Sequence, residues 1–270
     1  MSARPNDAKT FHALHSGPGL LVLANAWDAQ SARIVQEAGG KAIATSSAAV
    51  AWSHGYADGH FLPMDVLTAT VREIARVVTV PISVDMEGGY SDEPARVGEH
   101  VRAIIGAGGI GMNIEDSTKG ADLLCRKIEA VKRAAAAEGV DFFVNARCDV
   151  YLRKLAEGEA AQAESIARAG AYKNAGADGF FLPGPTDIAL FEAVAAAIGM
   201  PLNVMARPGA PGRAALEAAG VKRLSAATAL SRGAYNAAKA LAEAFLRDGD
   251  SEALSRNAGP ATDFNAWFRT

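Results

Sequence analysis

The chain of 270 residues lacks several features that mark particular classes of protein. It has two cysteines, Cys125 and Cys148, and no C-x-x-C motif, so a disulfide framework is excluded and a reducing compartment is expected. No run of five basic residues occurs, and the net charge is -3, which favours neither a nucleic-acid nor an anionic-membrane partner. The apolar stretches fall short of the roughly 20 residues that a membrane span needs, and the first residues hold no apolar secretion signal. We therefore expect a soluble, cytoplasmic protein that binds neither nucleic acid nor membrane.

Short apolar or β-branched runs alternate with longer Ala-rich stretches of helical spacing. Eight of these runs are predicted strands, at residues 20–25, 41–47, 81–87, 110–116, 141–147, 178–184, 201–207 and 221–227. Strands that alternate with helices indicate βα units, and eight units in a chain of this length fit an α/β fold, the (β/α)8 TIM barrel. The alternative is an open doubly wound sheet. That fold is expected to have a glycine-rich turn after the first strand, but the sequence there reads ANAWDAQ and has no glycine.

An Ala-Gly pair precedes every second predicted strand. The stretches EAGGKAIA, GAGGIGMN, NAGADGFF and AAGVKRLS share the order helix end, Ala-Gly, strand. We expect Gly39, Gly108, Gly176 and Gly220 to end helices in the left-handed conformation, which glycine adopts without steric cost. This repeat favours the barrel, and we expect one barrel domain over residues 1–270 with a helical extension from about 227.

Polar side chains gather where the predicted strands end, which is the catalytic face of a TIM barrel. Asp85 and Glu87 are two apart in one strand and point to the same side, and Glu115 ends the next strand. Two anions on one face repel each other unless a cation lies between them, and carboxylate oxygens suit Mg²⁺. The alternative is that these acids cap helices or pair with arginines. Asp116, Asn145, Arg147 and Asn203 are expected at the same mouth.

Motifs of other catalytic sites are missing. H-E-x-x-H and H-x-x-x-H do not occur, and no histidine lies at the end of a predicted strand, so a zinc or iron site built on histidines is not expected. No lysine ends a predicted strand, and Lys119 is the nearest. Because a Schiff-base aldolase needs a buried amine at this place, that class is disfavoured.

Five stretches, in order, resemble the isocitrate lyase/phosphoenolpyruvate mutase family over nearly the whole chain. They are residues 25–59, 80–92 (VPISVDMEGGYSD), 109–117 (GIGMNIEDS), 142–152 (FFVNARCDVYL) and 175–184 (AGADGFFLPG). The resemblance implies an α/β barrel whose last helix is exchanged between subunits of dimers and tetramers. We therefore expect a homotetramer, a dimer of dimers, with the helix at 227–247 exchanged. The resemblance also implies Mg²⁺ and a 2-oxo acid or its enolate, whose C–C or P–C bond is broken or rearranged.

The resemblance assigns a metal role to three acids. Asp85 matches the direct metal ligand, and Glu87 and Glu115 match acids that hold metal-bound water. All three are hard oxygen ligands, so Mg²⁺ is the expected cofactor, with Mn²⁺ as a substitute.

Other matched residues would handle the substrate. Ser46, Ser47 and Ala48 match the turn that binds the substrate carboxylate through a hydroxyl and backbone N–H groups. Arg147 matches the arginine that neutralises the developing enolate oxygen, and Asn203 resembles a polar residue that faces the substrate. Asp58, in GYADG, matches the acid of the family's G-L-P-D loop. Arg147, Asp58 and Glu115 are therefore the candidate catalytic residues.

The sequence departs from the lyases of this family after the fourth predicted strand. Their K-[KR]-C-G-[HN] motif, whose cysteine is the acid/base, is replaced by IEDSTKGADLLCRKIEAV, with a shortened loop and with Cys125 in a helical pattern. Decarboxylation of an oxaloacetate-like acid needs no such donor, because CO₂ leaves without a proton and water can protonate the enolate. We therefore predict a Mg²⁺-dependent lyase or decarboxylase of a small 2-oxo acid. The alternatives are P–C chemistry on a phosphonopyruvate-like substrate and a non-catalytic 2-oxo acid binding protein.

Overall fold

A computed structural model of the chain describes residues 5–257 and 262–269. Its strands are β1 (Leu21–Leu23), β2 (Asn25–Ala26), β3 (Ile43–Thr45), β4 (Ile82–Asp85), β5 (Gly111–Glu115), β6 (Phe143–Arg147), β7 (Gly179–Leu182), β8 (Leu202–Met205) and β9 (Val221–Ser225). Its helices are α1 (Pro5–Ser16), α2 (Ala29–Glu37), α3 (Ser47–Ser53), α4 (Met64–Val77), α5 (Pro94–Ala107), α6 (Ala121–Ala137), α7 (Gly158–Asn174), α8 (Ile188–Ile198), α9 (Arg213–Ala218), α10 (Ala229–Asp248), α11 (Ser251–Asn257) and α12 (Phe264–Phe268). None of these helices is both long and apolar enough to cross a membrane.

The strands form a parallel barrel, as the sequence predicts. They are ordered β1-β9-β8-β7-β6-β5-β4-β3-β2, and each pair is parallel. β1 and β2 are the two halves of the first predicted strand, separated at Ala24. One half pairs with β9 and the other with β3, so this strand joins the two ends of the sheet. The fold is therefore the predicted (β/α)8 TIM barrel, and the open doubly wound alternative is wrong.

The outer helices follow from local sequence. In α4, the apolar residues Leu67, Val71 and Ile74 recur at helical spacing and are buried, so one face of the helix packs on the barrel. Asp28 begins α2 by accepting a hydrogen bond from the backbone N–H of Ser31, whose hydroxyl in turn accepts from the backbone N–H of Asp28.

The four glycines that end helices adopt the predicted conformation. Gly39, Gly108, Gly176 and Gly220 have φ angles of 94°, 109°, 104° and 80°. At Gly108 a Cβ atom would also come within 2.7 Å of the Cβ of Ala75, so this turn needs glycine for space as well as for its φ angle.

The inside of the barrel is unusually polar. Inward-facing positions of TIM barrels are commonly filled by bulky branched residues. Here buried side chains on the central strands include Ser83, Asn113, Asn145, Asn203 and Arg223. Gly179 on β7 leaves room for them, because a Cβ there would lie 2.9 Å from Oδ1 of Asn145. The polar interior lies directly below the mouth where the site is expected.

Helix α10 begins two residues later than predicted and makes few contacts with its own barrel. Its only buried residue is Ser231, whereas Leu230, Tyr235, Phe245 and Leu246 are exposed. It contacts β2 and α11, and the ring centroid of Tyr235 lies 5.8 Å from that of Trp27. An exposed apolar helix of this kind is suited to packing on another surface.

Candidate active site

A cavity of about 190 Å³ opens at the carboxyl ends of the strands, on the predicted face of the barrel. Most of the predicted substrate-binding and catalytic residues meet there. Its lining includes Ser46, Ser47, Ala48, Asp58, Asp85 and Arg147, together with Asn25, Asn113, Leu152, Phe181, Pro183, Met205, Ser225, Ala227 and Thr228. The mixture of acids, one arginine and amide and hydroxyl groups suits a small polar ligand rather than an apolar one.

Asp85 ends β4 and is held by the neighbouring strand and helix. Its backbone N–H donates to Oγ1 of Thr45 at 2.8 Å, and its Oδ2 accepts from the backbone N–H of Ser47 at 3.0 Å. The N–H of Ser47 is therefore bonded to Asp85, although the family resemblance assigned it to the substrate. Within the described part of the chain Oδ1 of Asp85 receives no hydrogen bond, so this oxygen can bind a cation.

Arg147 is fixed on two sides by carboxylates. It lies in register with Glu115 on the neighbouring strand, and its Nη1 is 2.7 Å from Oε2 of that acid. Its Nε and Nη2 donate to the two carboxylate oxygens of Asp149 at 2.6 and 3.1 Å. Asp149 is fully buried and also accepts from Nε of Arg153 at 3.1 Å. Sequence reasoning missed both Asp149 and Arg153, and the only signal was their position just after the fifth predicted strand.

Two of the predicted metal-site acids face an adjoining pocket. Glu87 and Glu115 line a second cavity of about 330 Å³, beside the first, with His60, Lys127 and Arg153 among its other residues. Glu87 has a φ angle of 48°, so its backbone is not extended like a strand. Its side chain therefore does not share the side of Asp85 that the strand pattern predicted. Its carboxylate accepts from the backbone N–H of His60 at 2.5 Å and from the Tyr90 hydroxyl at 3.0 Å.

Three carboxylates of the two cavities, Asp58, Glu87 and Glu115, hold their protons more tightly than usual. Burial raises the pKa of Glu87 to about 7, and the charges of Asp58 and Asp85 add to the shift. Burial also raises the pKa of Glu115 to about 8, although the guanidinium of Arg147 opposes this. The pKa of Asp58 is raised by burial and then by Asp85. Burial is the main cause of these shifts, and the repulsion among the neighbouring carboxylates adds to them.

These acids fit a hard divalent cation. Their oxygens are the ligand type that Mg²⁺ and Mn²⁺ take, and a cation would offset the repulsion that adds to the pKa shifts of Asp58, Glu87 and Glu115. Across the chain that the structure describes, the one group with three ligand atoms mutually within 4.8 Å is His12, Asp141 and Asp178. That group lies at the opposite, amino end of the strands, and Lys132 already donates to Asp178 at 2.9 Å. The ligand atoms of Asp85, Glu87 and Glu115 are more widely spaced than this, which suits an ion that keeps several of its waters.

Three expectations about single residues need correction. Asp116 lines the second cavity, but its buried carboxylate accepts hydrogen bonds from Arg168 and Tyr172 of α7 and so anchors that helix. Asn145 and Asn203 do not line the cavity. Nδ2 of Asn145 donates to Oδ1 of Asn113 at 2.9 Å, and Oδ1 of Asn203 accepts from the Ser225 hydroxyl at 3.0 Å, both inside the barrel.

Two side chains that the strand pattern does not place at the site reach the end of β4 from elsewhere. Nζ of Lys127, on α6, donates to the carbonyl of Gly88 at 2.8 Å, and Nε2 of His60 accepts from the backbone N–H of Gly88 at 2.9 Å. Neither belongs to a strand, so a search limited to strand ends could not find them. The two cysteines are poor acid/base candidates, because burial raises the pKa of Cys125 and raises that of Cys148 to about 12.

Comparisons with known proteins decide the family. Residues 11–246 match the profile of the phosphoenolpyruvate phosphomutase family. The chain belongs to this family. It lies within the isocitrate lyase/phosphoenolpyruvate mutase superfamily, and it is an enzyme of that superfamily, whose members act as lyases or mutases on carbon–carbon or phosphorus–carbon bonds.

Curated relatives of this superfamily carry several activities. The chain is 38% identical over 237 residues to an uncharacterised protein of Mycobacterium tuberculosis, covering 86% of this chain and 87% of that one. It is 30% identical over 209 residues to the 2-methylisocitrate lyase of Escherichia coli, covering 73% and 69%. It is 29% identical over 187 residues to an oxaloacetate decarboxylase of Bradyrhizobium, covering 67% and 65%.

A solved structure agrees in fold. A candidate lyase/mutase from Burkholderia cenocepacia superposes with a TM-score of 0.87 at 36% identity, covering 98% of this chain and 96% of that chain.

Proposed function

We propose that this enzyme is a Mg²⁺-dependent lyase or decarboxylase that cleaves a C–C bond of a small, oxaloacetate-like 2-oxo acid through an enolate. The observation that carries the proposal is the placement of Arg147 and Asp85 on one small cavity. Arg147 supplies a fixed positive charge, and Asp85 has one carboxylate oxygen free of hydrogen bonds from the described residues. A cavity of about 190 Å³ is smaller than the roughly 300–1,000 Å³ usual for drug-sized ligands, which favours a small acid.

Asp85 would hold Mg²⁺, or Mn²⁺ in its place, and Glu87 and Glu115 would hold water on the ion. When bound, the ion supplies a positive charge beside the oxygen on which negative charge develops. Asp58 lies beside Asp85 on the same cavity and adds to its negative charge.

The chain's own groups account for the rest of the reaction. Arg147, held by Glu115 and Asp149, stabilises the developing enolate oxygen without having to reorganise. Ser46, Ser47 and Ala48, in the first turn of α3 and just before it, lie on the same cavity and are proposed to bind the substrate carboxylate through the Ser46 and Ser47 hydroxyls and the Ala48 N–H. The segment between β5 and α6 is only residues 116–120, and both thiol pKa values are raised. These observations favour a reaction that needs no protein acid on the leaving group, such as loss of CO₂.

The test is turnover of a panel of 2-oxo acids that includes oxaloacetate, with phosphonopyruvate as the P–C substrate. Enzyme-dependent cleavage of a C–C bond, abolished by EDTA and restored by Mg²⁺, is the expected result. Consumption of phosphonopyruvate alone would favour the mutase or hydrolase alternative. Binding by calorimetry without any turnover would favour a non-catalytic role and contradict the proposal.

We further propose one barrel domain in the cytoplasm, assembled as a homotetramer through the helical extension. The exposed apolar residues of α10 support this, because they lie against little of their own barrel. The domain proposal includes residues 1–4, 258–261 and 270, which lie outside the part that the structure describes.

A further inference from the structure

Arg223 crosses the interior of the barrel beneath the cavity. It stands on β9, and three strands separate it from β5 in either direction around the barrel, so these two strands are opposite walls. Nevertheless, Nη2 of Arg223 donates to Oδ1 of Asn113 on β5 at 3.2 Å. Its Nε donates to the hydroxyl of Ser225 at 3.3 Å. The guanidinium therefore lies in the middle of the barrel and touches two residues of the cavity lining.

This guanidinium has no anionic partner close to it. Arg223 is fully buried, and within residues 5–257 and 262–269 it forms no ion pair and its Nη1 has no hydrogen bond. Complete burial lowers the pKa of Arg223 to about 9, and the charge of Asp85 opposes that shift, so the side chain is a cation at neutral pH. A buried charge without a partner is costly, and such groups persist where they serve a purpose.

The hydrogen bonds of Asn113 fix which way its amide points. Its Oδ1 accepts from Arg223 and from Nδ2 of Asn145, the latter at 2.9 Å. Because both donors need an oxygen, the amide orientation is determined by this network. Its Nδ2 group then lies on the other branch of the amide, and no described residue accepts a hydrogen bond from it. Asn113 lines the cavity beside Asp85, with which it is in register.

We propose that Asn113 binds the substrate by donating a hydrogen bond from Nδ2 to an anionic oxygen at the floor of the cavity, and that Arg223 is the positioning residue that holds it there. The proposal rests on the proposed function and adds a specificity element to it. The ligand must present a hydrogen-bond acceptor, a carboxylate or enolate oxygen, to the floor. The positive charge of Arg223 below the floor favours an anion at this place.

The decisive variant is Asn113→Asp, which keeps an acceptor for Arg223 and Asn145 but loses the Nδ2 donor. Because the new carboxylate pairs with a buried cation, the melting temperature should stay or rise. With Mg²⁺ present, the dissociation constants of the dianion oxalate and the monoanion pyruvate should both increase about 10-fold or more, since a hydrogen bond to a charged group is lost. Weaker binding of oxalate alone would indicate simple charge repulsion and would overturn the proposal. Unchanged binding of both oxalate and pyruvate would overturn it as well.

The positioning role of Arg223 is tested by comparing Arg223→Met with Arg223→Lys. Methionine removes a buried unpaired charge, so the protein should be as stable as the wild type or more stable, while oxalate binding should weaken about 10-fold. Lysine can still donate to Oδ1 of Asn113 and should restore much of the affinity. Wild-type oxalate affinity in Arg223→Met, or an equal loss of oxalate affinity in both variants, would contradict the positioning role of Arg223.

Ser83→Ala is the matched control. Ser83 is buried on β4 inside the same barrel, does not line the cavity, and its hydroxyl has no partner among the residues described. Removal of the Ser83 hydroxyl should leave oxalate binding unchanged. A loss of oxalate affinity as large as that of Asn113→Asp would show that any change inside the barrel weakens binding, and would contradict the specific role of Asn113. If the wild type binds oxalate and the variants lose it, but no 2-oxo acid is turned over, the inference stands and the proposed reaction fails. If the wild type binds neither acid, both fail.

Discussion

Arg147 and Glu115 are joined by a 2.7 Å ion pair across the neighbouring strands β6 and β5. The pair lies between the two cavities, because Arg147 lines the smaller one and Glu115 the larger. The acid that is proposed to hold metal-bound water is thus the same acid that orients the cation proposed to face the substrate. A substitution of Glu115 would disturb both, so the effects on substrate and on metal are better separated at Arg147 and Asp85.

Arg147→Ala should lower kcat/KM by at least about 100-fold, the size of effect seen when one oxyanion donor is removed. Its metal affinity should hold or rise, because a nearby cation is lost. Asp85→Ala should do the reverse and lose metal first. The measurement is metal titration beside steady-state kinetics for both variants.

The matched control for Arg147→Ala is Arg96→Ala, which removes an exposed arginine whose Nη1 donates to Glu99 on α5. It should keep wild-type kinetics. Near-normal turnover in Arg147→Ala would make its assigned role, and the enolate mechanism built on it, wrong.

Catalysis or ligand binding should require Mg²⁺ or Mn²⁺, since the acids of the site offer only hard oxygens. Excess EDTA should abolish activity, and readdition of either ion should restore it. Full activity after dialysis against EDTA, verified metal-free by elemental analysis, would refute the metal assignment.

The raised carboxylate pKa values predict how pH acts on the metal-free protein. Glu87 and Glu115 have pKa values of about 7 and about 8, above their ordinary 4.5. Between pH 4.5 and these raised pKa values, the folded state holds more protons than the unfolded state. The free energy of unfolding therefore falls as pH rises through this window. The stabilisation of the folded state by protonated Glu87 and Glu115 is complete below pH 4.5 and is lost by about pH 8. Metal affinity should rise over the same range, because the ion binds ionised carboxylates.

Thermal unfolding and Mg²⁺ calorimetry between pH 5 and 9 check this dependence. Glu87→Gln should remove part of it, whereas Glu73→Gln, at an exposed acid of α4, should leave it unchanged. A metal affinity that does not change with pH would show that Glu87 and Glu115 are already ionised, and the raised pKa values would then be wrong.

The assembly proposal makes a prediction about mass. Light scattering at micromolar concentration should give about four times the chain mass of 27.9 kDa. Leu246→Asp, which places a charge on the 83% exposed apolar residue of α10, should shift the protein to smaller species. Lys239→Ala, on the same helix, should not. A monomer in the wild type would refute the exchanged-helix assembly.

The barrel could be predicted from the sequence because its signals are local. Gly108 and Gly176 mark helix ends through their own conformational freedom, and Asp85 and Arg147 end apolar runs that read as strands. Parallel strand ends share one face of a barrel, so the meeting of Asp85, Arg147 and Ser46 on one cavity follows from the topology.

The rest depended on contacts through space. Lys127 reaches Gly88 from the middle of α6, and no spacing in the sequence announces that contact. Glu87 departs from the face of Asp85 because its φ angle is positive, which an alternating strand pattern does not show. Nothing in the sequence VKRLS distinguishes Arg223 from a solvated arginine, and only the closed barrel shows that it points inward and reaches Asn113.

Product analysis by NMR of a panel of 2-oxo acids, with Mg²⁺ and with EDTA, tests the central claim most directly. We predict that at least one small acid of the oxaloacetate type is cleaved at a C–C bond, at a rate that depends on enzyme and metal. The rate should fall at least about 100-fold in Arg147→Ala. A panel left intact under all conditions, or rearrangement of phosphonopyruvate alone, would contradict it.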